Sequence, residues 1–190
     1  LNGSIGDDVI DGNGGVDVIH AGDGDDAIVL DAPVGAGSTL DGGLGYDTLV
    51  LKPQAGTPYF NGGTSTLYNV YFPTVLGGIE AVQFDSSAGD FLGLVVLDGQ
   101  RAASGLTNLT GGAGRDALYD VVFQPGTYTM PQLSFTNWSS DIHDLNSDFV
   151  TLFASSAGNY VLNAREGLAT IQGLQGNVGD DILNGSSGSD

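Results

Sequence analysis

The chain has 190 residues, 41% of them apolar and none a cysteine, and 23 acidic side chains face only 4 basic ones, a formal net charge of −19. That length and apolar content allow one medium domain with a core, while the missing thiols exclude a disulfide framework and a thiolate zinc site. Lys52, Arg101, Arg115 and Arg165 are too few to clamp a phosphate backbone, so nucleic acid is excluded as a partner, and no run of about 18 apolar residues is present to span a bilayer.

A compact chain with this imbalance repels itself unless cations neutralise it. Hard divalent cations with oxygen ligands suit a sequence rich in Asp, Asn and backbone carbonyls. The N-terminal stretch supplies such a pattern at once. Asp8-Val9-Ile10, Asp17-Val18-Ile19 and Asp26-Ala27-Ile28 recur every nine residues, each behind a run of small residues that includes Gly3 and Gly6, then Gly12 and Gly15, then Gly24. A 12-residue excursion over 30–41 holds Pro33 and reads as a loop. The pattern then returns with Gly42, Gly45 and Asp47, which is expected to open the next turn and to pair with Asp17.

Further along, Val, Ile, Phe, Tyr and Thr concentrate in short segments bounded by turn residues. Strands are expected at 48–52, 79–84, 92–97, 117–123, 133–135, 149–153 and 160–163, with one helical turn at most, near 163–168. Another copy of the repeat falls at Gly111-Gly112-Ala113-Gly114-Arg115-Asp116-Ala117-Leu118, where Arg115 occupies a position that small or acidic residues fill elsewhere. The intervals from Asp47 to Asp116 and from Asp116 to Asp181 are 69 and 65 residues. Gly56-Thr57 leads to Ser86-Ser87-Ala88-Gly89-Asp90 in one, and Gly126-Thr127 to Ser155-Ser156-Ala157-Gly158-Asn159 in the other, which raises a duplication as one reading. The last copy has Gly176, Gly179 and Asp181, and a half-copy stays in register to Asp190.

The physics of the repeat accounts for its residues. The glycines permit a tight turn that a Cβ would forbid. The turn aims carbonyls inward, the Asp adds charge, and together they make an oxygen cage suited to calcium. The following x-aliphatic-x tripeptide is a short strand whose aliphatic points inward. A flexible Gly/Asp linker would not keep its aliphatics in a nine-residue register.

These repeats resemble the RTX (repeats-in-toxin) nonapeptide, G-G-x-G-x-D-x-U-x with U a large aliphatic. The resemblance covers about the first 50 residues, the island at 111–118 and the last 15. It implies an all-β fold: a calcium-bound parallel β-roll, interrupted by inserted β structure. Several calcium ions are implied, with Asp8, Asp17, Asp26, Asp47, Asp116, Asp181 and Asp190 as charged ligands and the repeat glycines supplying carbonyls. The division expected is 1–52 for the first repeats, 53–175 for an inserted ligand-binding region carrying the copy near 111–119, and 176–190 for repeats that complete the roll. The two ends are expected to meet in one continuous roll. No leader is visible, and the stretch reads as part of something longer.

One loop, 137–148, carries unusual polar density: Trp138, Asp141, His143, Asp144, Asn146 and Asp148. The alternation of Asp144, Asn146 and Asp148 is like the start of an EF-hand loop, but the Gly and the later Glu do not follow. The loop is either a plain polar connection with a Trp tucked into the core or an irregular calcium site with an open position for a ligand. Enzyme signatures are missing: there is no G-x-S-x-G and no H-E-x-x-H, and calcium binding already explains the carboxylates. The expectation is a monomeric, non-enzymatic, calcium-dependent ligand-binding module of an extracellular RTX adhesin on a bacterial surface. Its partner would be a peptide or protein on a host or neighbouring cell. A calcium-dependent glycan-binding module, or a calcium-stiffened block with no ligand, are the alternatives.

Overall fold

The computed structural model describes residues 1–54, 63–69, 75–141 and 144–187. All paired strands run parallel. The chain winds as a solenoid whose coils stack strand on strand along its walls.

One wall contains β1 (Val9–Asp11), β3 (Ala27–Leu30), β5 (Thr48–Leu51), β8 (Ala81–Phe84), β10 (Asn108–Thr110) and β13 (Ser134–Thr136), in that order. A second wall starts with β2 (Val18–Asp23), β4 (Thr39–Leu44) and β7 (Val75–Gly77). The next coil places the helix α1 (Asp98–Ser104) against β7, and later coils supply β12 (Thr127–Thr129), β15 (Val161–Asn163) and β17 (Ile182–Asn184). The third wall has β6 (Ser65–Asn69), β9 (Phe91–Leu97), β11 (Arg115–Val122), β14 (Phe149–Ala154) and β16 (Ile171–Gln175). The N-terminal coils are thus two-walled, and a third wall is added from β6 onward.

Register follows the aliphatics. Ile10, Ile28, Leu49 and Val82 stand at matched positions on the first wall. Leu94, Leu118 and Val150 do so on the third. Ile28, Leu49, Val82, Leu94, Leu118 and Val150 are all fully buried. Each such side chain contributes about 1.5–3 kcal/mol when removed from water. A slip of one residue would turn the whole inner row outward, so the register is well fixed.

The all-β parallel roll is borne out, but its organisation differs from the expectation in four respects. First, the terminal repeats do not meet: among the described residues β1 pairs with β3, while β17 pairs with β15 at the other end. The described residues between 53 and 175 form strands stacked between the two ends, because their aliphatics keep the same inward register. Second, the excursion at 30–41 already contains the start of β4, which lies beside β2. Third, the helix forms at Asp98–Ser104 and not at 163–168. Seven residues are too few to show a helical stripe, and the segment is anchored from outside: Arg101 lies 2.8 Å from Asp120 of β11 and 2.7 Å from Asp98. Fourth, 86–90 connects the first wall to the third, whereas 155–159 connects the third to the second, so these look-alike stretches turn different corners. Gly56 and Thr57, the other part of that comparison, lie outside the described residues.

Candidate calcium sites

Asp8, Asp26 and Asp47 stand immediately before β1, β3 and β5 of the first wall, and register stacks them. The Asp8 N–H donates to Asp26 Oδ1 (2.7 Å), the Asp26 N–H to Asp47 Oδ1 (2.9 Å), and the Asp47 N–H to Glu80 Oε2 (2.8 Å). Four carboxylates thus climb one corner of the solenoid at the strand spacing of about 4.8 Å. Asp47 therefore neighbours Asp26, whereas pairing with Asp17 was expected. The excursion at 30–41 supplies Ser38 for Asp17, whose N–H donates to Ser38 Oγ (3.1 Å). Asp26 and Asp47 are buried. Burial, the dominant cause, together with the charges of Asp26, Glu80 and Asp25 pushes the Asp47 carboxyl above the ordinary range.

A second feature repeats with the first. Four glycines stand five residues before an Asp and lie against its carboxylate: Gly3 against Asp8, Gly12 against Asp17, Gly42 against Asp47 and Gly176 against Asp181. A Cβ on Gly3 would also strike Ala21 O of the next coil, and a Cβ on Gly42 would strike Gly78 O. The glycine two before the Asp adopts the left-handed side of the map, with φ 139° at Gly24 and 138° at Gly45, where side chains are strained. Gly6, Gly15 and Gly179 also have positive φ. At Asp181 the same scheme holds: its Oδ1 accepts the Tyr160 N–H (2.9 Å) and its Oδ2 the Asn177 N–H (2.8 Å). Asp190 lies outside the described residues.

Calcium fits this corner by the state of its oxygens. Asp26 Oδ2 and Asp47 Oδ2 are buried and have no hydrogen-bond partner. A buried carboxylate oxygen left alone costs heavily unless a cation or a proton reaches it. Among the described residues no three His, Asp or Glu side chains are gathered to hold a metal by themselves. An ion here would depend on backbone carbonyls, as the glycine turns suggest.

Asp116 belongs to a different line, inside the third wall. Its Oδ2 accepts the Gly112 N–H (2.6 Å), and its own N–H donates to Asp148 Oδ1 (2.7 Å). Burial raises the Asp116 carboxyl to about 6 and that of Asp148 to about 7. Asp148 also accepts the Ser139 N–H at 2.7 Å, so it closes the 137–148 loop from within. Trp138 packs on Phe84 and Phe135, and its indole N–H donates to Thr170 Oγ1 (2.7 Å). It fills the space where the first wall ends at β13. Asp144 is exposed and accepts the Asn146 N–H (3.0 Å), while Asp141 is exposed elsewhere on the loop. Asp144 and Asp148 thus hold different parts of the loop, and the Trp138 ring is tucked against the core, as in the first of the two readings of this loop. His143 falls outside the described residues. His20 is exposed, 3.3 Å from Asp41.

Sequence reasoning missed Glu80 and the outer face of the third wall. Glu80 carried one signal, the acid-x-aliphatic order of Glu80-Ala81-Val82, without the glycine spacing of a full repeat. On the outer face Phe91 and Phe149 stack with centroids 6.3 Å apart, Tyr119 meets Phe149 edge-on at 5.6 Å, and the Arg115 guanidinium lies 4.8 Å above the Phe149 ring. This is what Arg115 does in its atypical repeat. Beside this cluster runs a concavity of about 320 Å³ between Leu67, Val95, Tyr119, Val121 and Phe153, with Ser155 and Gln175 at its edge. These residues come from five coils, so no local motif announces them.

Residues 1–32 and 174–190 match the RTX calcium-binding nonapeptide repeat, in four copies. The two ends of the chain therefore carry RTX-type calcium-binding repeats. Proteins with such repeats are typically secreted, and among the described residues no helix is long and apolar enough to cross a membrane. No curated protein and no solved structure is significantly similar to the chain.

Proposed function

We propose that this chain is a non-enzymatic, calcium-dependent ligand-binding segment of a secreted bacterial RTX adhesin, and that the outer face of its third wall is the contact surface. The observation carrying this reading is the apolar concavity of about 320 Å³ among Leu67, Val95, Val121 and Phe153. A solenoid of charge −19 has every reason to keep its outer walls polar, and this one does not. The occupant best suited to it is a protein segment with apolar side chains flanked by Lys or Arg. The apolar part would fill the concavity, and the basic flanks would answer the surrounding negative field. Calcium acts at a distance, by holding the coils in register.

A peptide and glycan array probed with the calcium-loaded chain tests this. Apolar peptides with basic flanks should be retained, and Leu67→Asp with Phe153→Asp should abolish retention while circular dichroism stays unchanged. Selective retention of neutral glycans would replace the peptide reading with the glycan one, with Ser155 and Gln175 as hydrogen-bonding groups. Retention of nothing by a folded chain would leave a calcium-stiffened spacer.

A further inference from the structure

We propose that a divalent cation site of the calcium type continues beyond the nonapeptide repeats, between the turn at Gly42 to Asp47 and the segment Gly78 to Glu80, with Glu80 as its second charged ligand. This rests on the calcium reading above and extends it to a residue that no repeat copy contains.

Three observations converge. Glu80 takes the next rung of the Asp8, Asp26, Asp47 ladder: it precedes β8 as each Asp precedes its strand, and it accepts the Asp47 N–H as Asp26 and Asp47 accept the N–H one rung before. The second is an oxygen left over. Asp47 is fully buried, and its Oδ2 has no hydrogen-bond partner. The third is a carbonyl in the matching place. Gly78 O and Asp47 Oδ2 both crowd the point where a Cβ on Gly42 would stand, just as Ala21 O and Asp8 Oδ2 crowd that point at Gly3. The turn at Asp8 lies within the stretch that matches the calcium-binding repeat, and the turn at Asp47 lies outside it.

The oxygen set is one carboxylate from Asp47, one from Glu80 and the Gly78 carbonyl, completed by water. Hard oxygen donors without nitrogen or sulfur favour calcium over zinc or copper. Glu in place of Asp adds one methylene, which suits a rung where the chain arrives from the loop after β7 and not from a nine-residue turn.

The test is calcium stoichiometry by equilibrium dialysis of the full chain. Glu80→Gln is the informative variant, because its amide oxygen still accepts the Asp47 N–H while the charge is gone. One fewer bound ion, with the parent's circular dichroism at saturating calcium, is the expected result. Unchanged stoichiometry and affinity would overturn the proposal. Should the variant fail to fold, the parent decides: the side-chain carboxyl carbon signal of Glu80 should shift on addition of calcium chloride, and a signal that stays in place overturns the site. A parent that binds no calcium at all would instead sink the calcium reading itself.

Discussion

The Asp26 N–H donates to Oδ1 of Asp47 at 2.9 Å, and the other oxygen of Asp47 is buried with no partner. One carboxylate thus ties two coils together and keeps an oxygen in reserve. Asp47→Asn separates the two roles, since an amide oxygen keeps the tie and drops the charge. In calcium the variant should melt lower than the parent, and in calcium-free buffer it should melt higher. Each shift should be about 1 kcal/mol, or roughly 2–4 °C for a chain of this size. Differential scanning calorimetry reads both, and shifts of the same sign in the two buffers would contradict the dual role.

The buried acids set a pH dependence in calcium-free solution. Burial raises Asp116 to about 6 and Asp148 to about 7, above the ordinary carboxylate value of 3.8. A raised carboxyl favours the folded state when protonated. Its contribution is fully present below about pH 4, and it is lost as pH rises through 6 to 7. The calcium-free chain should therefore melt higher at pH 5 than at pH 8, and Asp116→Asn with Asp148→Asn should shrink the difference to the part left by Asp120, which burial raises to about 7. A parent profile rising from pH 5 to 8 would refute this.

Arg101 should matter out of proportion to its helix. Its guanidinium faces Asp120, which is wholly buried. Arg101→Met leaves that acid without its cation, at a cost of about 3 kcal/mol at pH 8. Adding Asp120→Leu should recover most of the loss. Urea unfolding of the parent, the single variant and the double variant measures it; no recovery in the double variant would mean that α1 is held by packing alone.

Trp138→Ala should act on stability and leave binding intact. The ring packs on Phe84 and Phe135 at the end of the first wall, so truncation opens a cavity costing about 3 kcal/mol. Under conditions where the variant is folded, ligand retention should equal the parent's. Selective loss of binding would return the 137–148 loop to the ligand site.

Much of the fold was legible, and the reason is local. The nine-residue spacing of Asp8, Asp17 and Asp26 fixes turn and strand within each repeat, so the parallel roll and the places of its first aspartates could be read directly. Most central strands were placed because Val, Ile and Phe crowd into them. What was not legible depends on which coils stack. Asp47 comes beside Asp26 and Asp17 beside Ser38 only because β4 fits next to β2. Glu80 joins the ladder through pairing across 33 residues. The outer apolar face is assembled from strands β6, β9, β11 and β14, each of which reads alone as an ordinary buried strand. Trp138 left two readings open because a polar loop carrying one aromatic looks the same whether the ring faces out or in.

The central claim is that calcium on the acid ladder holds the coils in register, and amide hydrogen exchange tests it most directly. The N–H groups of Asp8, Asp26 and Asp47 each donate to the carboxylate of the next rung. At pH 8 these amides should exchange slowly in calcium and at least about tenfold faster once calcium is removed, a change of about 1.4 kcal/mol or more in local opening. Equal protection of the three amides with and without calcium would contradict the account.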